Sequence, residues 1–302
     1  MKKTLALMHS LFLVLAVTTV SLAAEPPAAK KLADNVYAFI GGSGTTNSGF
    51  IITDKGVVVI DSQGPRERAE ALKASIRERS KRPVTYTINT HYHGDHTFGN
   101  QYFEGKIISQ QETRKLLVSE DRAHRKRFQK FFGPESLRDF RLTLPEITFA
   151  DELRLFSNGM AIIVRHPGIA HTRGDAYVYL PAERIVFTGD ILYKGRLPWL
   201  GEGSVDGVIK ALGELLGLDA QIYVPGHGGL ATKKDVKIYR GYLEDLREEV
   251  KRLKAAGKTI EEVSASIRLP AYSAYIKYRE WLPLNAAAVY RELEQAEKSA
   301  PE

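Results

Sequence analysis

Apolar positions along the chain follow two rhythms. Short β-branched and aromatic runs at residues 36–40, 50–53 and 57–60 have the composition of strands, and Lys55-Gly56 between the last two reads as a hairpin turn. Over residues 65–79 apolar side chains recur at helical spacing among charges, and residues 83–88 return to strand composition. A strongly charged segment, residues 110–132, has the periodicity of a surface helix and carries seven Lys or Arg between Arg114 and Lys130. It predicts a solvated helical face, with a lid that attracts anionic substrates as the alternative. A second strand-rich half follows, with strands at 147–149, 152–156, 160–164, 176–180 and 184–188, a helix at 205–216 and a short strand at 221–224. The remainder is helical. Tyr239, Leu243, Leu246, Val250 and Leu253 form one apolar stripe, Glu248 and Arg252 sit at a favourable i,i+4 spacing, and residues 281–294 form a last helix. Two strand-rich halves closed by helices predict an α/β chain with a sheet-on-sheet core covered by helices, because that layering buries both faces of each sheet.

The first residues have a different character. Lys2 and Lys3, an apolar run from about Leu5 to Val20 and small residues up to Ala24 make the three regions of a secretory signal, with cleavage expected after Ala23. The apolar run is shorter than the roughly 20 residues that span a bilayer, so no stable membrane insertion of the mature chain is expected. The expected organisation is a signal peptide at 1–23, a linker at 24–34, a main domain at 35–257 and a C-terminal helical extension at 258–302 packed on it.

Composition narrows the chemistry. The chain has no cysteine, which excludes disulfides, thiolate ligands and a cysteine nucleophile, so nitrogen and oxygen donors must do the work. The formal charge of +7 falls to +5 once Lys2 and Lys3 leave. No basic stripe interleaved with aromatics accompanies that mild excess, so a small-molecule substrate is expected and a nucleic-acid partner is not.

The segment NTHYHGDHTFGN at 89–100 holds three of the eight histidines. In extended backbone alternate side chains share a face, so His91 and His93 can present two imidazoles to one ion. Gly94 then lets the chain bend and aim Asp95 and His96 at a second position. One loop cannot complete such sites, since a catalytic zinc takes three protein ligands and leaves room for water. His171, Asp190 and His227, each beside or near a glycine at a strand boundary, are the further candidates. Asp61, ending an apolar run, reads either as a turn residue or as a carboxylate that buttresses a ligand imidazole. His124, in the charged helix, and His166, before Pro167-Gly168, stand outside the pattern.

His91-x-His93-x-Asp95-His96 followed by His171, Asp190 and His227 resembles the complete metal set of the metallo-β-lactamase superfamily. The resemblance extends from Asn35-Val36-Tyr37 and Val58-Val59-Ile60-Asp61 to Pro225-Gly226-His227-Gly228. It implies an αββα sandwich of two mixed β-sheets with helices outside and a dinuclear site at one edge. It also implies that His91, His93 and His171 hold a first Zn2+, that Asp95, His96 and His227 hold a second, and that Asp190 bridges them. Crowding four ligands into one loop then has a reason, because two metals about 3.5–4 Å apart share one hydroxide. Iron or manganese suits the same donors. The implied activity is that of an exported dinuclear zinc hydrolase whose bridging hydroxide, oriented by Asp95, attacks an amide or lactam, ester or thioester carbonyl. Lys194 and Arg196, just after Asp190, are candidates for binding a substrate carboxylate, and Trp199 in the loop 197–203 for contacting substrate.

Branches of the superfamily separate on details. Subclass B1 lactamases usually carry cysteine where Asp190 stands. Glyoxalase II thioesterases use the aspartate but follow the histidine motif with two glycines, whereas this chain runs Thr97-Phe98-Gly99-Asn100. The best match is an exported lactamase-like hydrolase of the type found near periplasmic quinoprotein systems. The alternatives are a glyoxalase II-like thioesterase, an iron-dependent sulfur oxygenase and a metal-dependent relay protein for a periplasmic quinoprotein.

Overall fold

The computed structural model describes residues 28–41, 45–157 and 159–299, and the signal-like segment lies outside them. The hairpin of β3 (Ser48–Thr53) and β4 (Gly56–Ile60) closes over Asp54-Lys55, with Thr53 opposite Gly56. Every residue of β4 is buried. This is what a strand covered on both faces demands, and the unbroken Val-Val-Val-Ile run supplies it. β5 (Val84–Asn89), β6 (Lys106–Gln110) and β7 (Ile147–Phe149) continue the sheet in parallel, while β1 (Ala28–Ala33) and β2 (Val36–Ile40) extend it antiparallel beyond β3. The second sheet runs in the order β12-β11-β10-β9-β8, from β8 (Glu152–Ser157), β9 (Met160–Arg165), β10 (Tyr177–Leu180), β11 (Ile185–Tyr193) and β12 (Ile222–His227). Only β11 and β12 are parallel there, so both sheets are mixed.

Side-chain alternation assigns the layers. Val58 and Ile60 of β4 point between the sheets and meet Ile162, Val164, Val178 and Phe187 from the second, whereas Val57 and Val59 point outward onto Leu72 and Ile76 of α1 (Arg66–Arg79). On the outer face of the second sheet, Tyr177, Val186 and Tyr223 lie under α5 (Val205–Gly217), α6 (Lys233–Ala255), α7 (Ile260–Ser266) and α8 (Tyr278–Ser299). The expected αββα sandwich is therefore the observed one. Among the described residues no helix is long and apolar enough to cross a membrane.

Three local expectations differ from the structure. The described part of the supposed linker is strand β1, because Ala-Ala-Lys-Lys-Leu-Ala pairs through its backbone with β2 and needs no alternating apolar pattern at a sheet edge. The charged segment is two helices, α3 (Gln111–Ser119) and α4 (Asp121–Phe132), broken at Glu120, so that α3 buries Leu116 and Leu117 while α4 turns His124 and Phe128 inward. β11 and β12 each run past their expected ends, to Tyr193 and His227, because the two pair with each other in parallel. Pro225 is tolerated there because β12 is an edge strand.

Candidate metal centre

Parallel strands deliver the ligands to one rim. β5 ends at Asn89 and passes into the loop that carries His91 and His93, the latter still extended at φ −60 and ψ 143 before the single turn α2 (Gly94–Thr97). β11 and β12 bring Asp190 and His227 to the same edge, and the loop before β10 adds His171.

Two groups result. Single donor atoms of His91, His93, His171 and Asp190 all lie within 4.8 Å of one another, and those of Asp95, His96 and His227 do likewise. In the first group His171 Nε2 is 3.1 Å from His93 Nδ1 and 3.4 Å from Asp190 Oδ2. In the second, His227 Nε2 is 3.3 Å from Asp95 Oδ2. Asp190 faces both: its Oδ1 is 3.1 Å from His96 Nε2, and its Oδ2 lies 3.4 Å from His227 Nε2 and 3.8 Å from His91 Nε2. All seven residues predicted as ligands are thus brought together.

Buried polar atoms left without partners test whether the set fits metal ions. His91 Nε2 is buried and takes part in no hydrogen bond, and His96 Nε2 and Asp190 Oδ1, 3.1 Å apart, have no partner within hydrogen-bond distance other than each other. An unmet buried polar atom costs about 1–3 kcal/mol, so atoms left this way mark a place for ions. Their surroundings orient them as ligands. Asp61 Oδ2 lies 2.7 Å from His96 Nδ1, which leaves the Nε2 lone pair aimed into the site. Asp61 is itself held at φ +56 and accepts from the Thr90 backbone N–H and hydroxyl at 2.8 and 2.7 Å. Of its two readings, the carboxylate behind a ligand imidazole is the one the geometry shows. The donor set fits divalent cations that accept nitrogen and oxygen.

The sequence pattern of the Metallo-beta-lactamase superfamily matches residues 41–227. The chain belongs to the metallo-beta-lactamase superfamily. A metallo-beta-lactamase type 2 of Elizabethkingia meningoseptica is 29% identical over 196 residues, covering 60% of this chain and 71% of that protein. One of Bacteroides fragilis is 24% identical over 210 residues, covering 66% and 78%. Among solved structures, a metallo-beta-lactamase from Pontibacter korlensis shares the fold at a TM-score of 0.61 and 21% identity, over 72% of this chain and 99% of that one. The sec-alkylsulfatase Pisa1 from Pseudomonas sp. shares it at 0.69 and 19% identity, over 88% of this chain and 50% of that one.

Around the ligands this metallo-beta-lactamase superfamily member has residues that motif reasoning missed. Glu202 Oε2 lies 3.0 Å from His93 Nε2, which orients His93 to present Nδ1 to the site. The same carboxylate accepts from the Tyr92 hydroxyl and, at 2.6 Å, from Arg127 of α4. His124 is buried, stacks on Tyr92 with ring centres 4.3 Å apart and lies 3.0 Å from Arg127 through its Nε2. The charged helix therefore turns one face onto the metal centre. Tyr193, three residues after Asp190, donates its hydroxyl to Asp190 Oδ2 and stacks on His227. A cavity of about 150 Å3 opens above the ligands, walled by Phe128, Phe131 and Phe132 of α4, by Arg196 and Trp199, and by Trp281 of α8. Lys194 is not in that wall. Its ammonium donates to Leu230 O at 2.7 Å and pairs with Asp235 at 3.1 Å.

Removing the charge at position 202 while keeping its shape tests the support of His93. Glu202→Gln is expected to weaken metal affinity about 10–100-fold, as loss of an outer partner of a ligand does. Competition with a chromophoric chelator measures it, and affinity equal to wild type would remove Glu202 from the site's support.

The two groups differ in protonation. Burial alone would depress His96, but Asp190, Asp95 and Asp61 around it raise it well above the ordinary value, and Asp190 and Asp95 raise His227 against its burial in the same way. Burial, with cationic neighbours, holds His91 well below its ordinary value, and burial brings His171 down to about 3. A metal entering beside His96 and His227 must then displace protons near neutrality, whereas one entering beside His91 and His171 displaces none there. As pH falls from about 8 to about 6, the second group should lose affinity before the first, by up to about tenfold per pH unit for each displaced proton. Metal content by mass spectrometry across that range reads the effect. Simultaneous loss of both ions would contradict it.

Proposed function

We propose that the protein is an exported dinuclear zinc hydrolase that acts on the carbonyl of an amide or lactam, an ester or a thioester. The observation that supports this best is Asp190, whose two oxygens face imidazoles of both groups. In this reading His91, His93 and His171 hold one ion, and Asp95, His96 and His227 hold the other. A divalent pair, when bound, supplies Lewis-acid polarisation of the carbonyl and water that ionises near neutral pH rather than at about 15.7. Asp95 is fixed by the Thr46 hydroxyl, 2.6 Å from its Oδ2, and lines the cavity floor, where it orients the attacking water. Tyr193 donates its hydroxyl to Asp190 Oδ2 and so helps hold that carboxylate between the two groups. Phe128, Phe132 and Trp199 exclude bulk water, and Arg196 and Trp199 remain candidates for substrate contact. Export rests on the signal-like composition of residues 1–23.

Zinc-loaded protein assayed against lactams, lactones, esters and thioesters tests the reading. Two zinc ions per chain and hydrolysis abolished by chelation are expected. No stoichiometric metal, or hydrolysis that survives both His93→Ala and Asp95→Ala, would overturn it. Oxygen consumption by the iron-loaded protein would favour the oxygenase instead.

A further inference from the structure

Asp95 also forms part of the wall of a second chamber. This cavity, about 70 Å3, is lined by Thr46, Gln63, Gly64, Arg68, Asp95 and Phe132 among others. Asp95 and Phe132 belong to the walls of both cavities, so the chambers meet at the carboxylate assigned to orienting the attacking water. The larger is walled by aromatic rings, and the smaller sets the polar side chains of Thr46, Gln63 and Arg68 beside Phe132 and Pro65.

Arg68 sets the character of the polar chamber. Its Nη1 is buried and has no hydrogen-bond partner, and among the described residues the guanidinium forms no salt bridge. Arg127, the cation of α4 in the larger cavity, is occupied by Glu202 and His124, and Arg196 lies over the Trp281 ring at 4.6 Å. A partly buried guanidinium with an unmet N–H is unfavourable until an acceptor reaches it. Burial lowers the proton affinity of Arg68, and the charge of Asp95 opposes that effect. Beside it Gln63 Nε2 donates to Thr46 O at 3.0 Å and Ser48 Oγ at 2.7 Å, which leaves its buried Oε1 to accept an N–H or O–H. At position 64 a Cβ would fall 3.0 Å from Asp95 Cα and 3.1 Å from Phe132 Cζ, so glycine lets the backbone approach that closely. Pro65 caps α1 without a side-chain hydrogen bond and lines the same chamber, which adds the positive end of the helix dipole.

We propose that the substrate is an amphiphilic acid: its apolar body lies among Phe128, Phe131, Trp199 and Trp281, and its carboxylate is bound by Arg68. The segment joining the two ends then crosses Asp95 and the metal-ligating face. A planar guanidinium matches a carboxylate in shape and charge, and Lys194, tied to Asp235, does not compete for it. The position of the scissile bond in this arrangement rests on the hydrolytic reading above, whereas the two-ended binding does not.

Intrinsic fluorescence provides the test. The chain has two tryptophans, Trp199 and Trp281, set edge to face 5.9 Å apart in the aromatic wall, so quenching reports occupancy of that cavity. The metal-loaded protein is titrated with phenylbutyrate and with phenylbutyramide, for wild type, Arg68→Gln and Arg68→Lys, with the thermal midpoint recorded for each variant. Wild type is expected to bind the acid at least about tenfold more tightly than the amide. That ratio should fall to about one in Arg68→Gln and recover in part in Arg68→Lys. Equal affinity of wild type for acid and amide would overturn the proposal. So would an acid preference that survives in Arg68→Gln, since the carboxylate would then be on the metal ions. If the Arg68-dependent preference is found and no ester, thioester or lactam is cleaved, the carboxylate site stands and the hydrolytic reading falls.

Discussion

Asp190→Ala should reduce hydrolysis by about a thousandfold and lower metal content at both groups. Asp190 has carboxylate oxygens within 4 Å of imidazoles from both groups, and it is almost fully buried. In the proposed dinuclear reading, losing it removes a ligand from each ion, and it takes a negative charge from between His91, His96, His171 and His227. Metal ions contribute several kcal/mol of charge stabilisation to the transition state, and about 4 kcal/mol corresponds to about a thousandfold in rate. Burial by itself would raise the Asp190 carboxyl, but His227, His96 and His91 hold it well below the usual range. It is therefore ionised wherever the protein would be assayed. Asp190→Asn separates charge from shape, since it keeps one oxygen and fills the same space, and it should lose nearly as much. Kinetics at saturating zinc, together with bound metal per chain, check the pair. Activity within tenfold of wild type and two retained metals in Asp190→Ala would remove Asp190 from its bridging place.

Gly226→Ala is expected to be nearly as damaging, although residue 226 contributes no ligand. A Cβ placed there would sit 1.8 Å from Asp190 Oδ1 and 2.9 Å from Asp190 N, so either the carboxylate or the strand must move. The strand is held in place. Asn47 accepts from Gly41 N at 3.1 Å through its side-chain oxygen, and its Nδ2 donates to Pro225 O and Gly228 O, both at 2.8 Å. Its backbone N–H donates to Gly226 O, also at 2.8 Å. Overpacking of this kind costs about 1–3 kcal/mol of stability, and a shift of about 1 Å in a reacting group costs about a hundredfold in rate. Gly229→Ala is the matched control, because a Cβ there meets nothing within 4 Å. If Gly226→Ala retains wild-type kinetics, metal content and thermal midpoint, the close approach of the two strands is not what positions Asp190.

The seven candidate ligands, which the structure brings together, were legible because each carries its own local sign. His91 and His93 alternate on extended backbone, Asp95 and His96 follow a glycine, and His171, Asp190 and His227 stand beside or near glycines at strand boundaries. Glu202 had no such sign. It lies in an apolar, glycine-bounded loop, and its role arises only from meeting His93 across 109 positions of sequence. Tyr193 lies beyond the expected end of its strand, and only the parallel pairing of β11 with β12 carries the strand that far and stacks Tyr193 on His227. The periodicity of residues 110–132 correctly marked a helical surface, yet the break at Glu120 rotates His124, Arg127 and Phe128 toward the site. Strand β1 was hidden because edge pairing is made by backbone groups, which every sequence has.

What the amino-acid order determined by itself is local: which stretches are strand or helix, which faces are apolar, and which residues have the donor chemistry of metal ligands. Those properties depend on neighbours a few positions apart, and they identified the layered fold and the ligand set together. Tertiary structure alone decided the rest. It placed Asp190 between two groups of imidazoles, set Glu202 behind His93, carried Trp281 from the C-terminal helix to the cavity, and left Arg68 Nη1 without an acceptor among the described residues. Burial and distance act through space, so no window along the chain contains them.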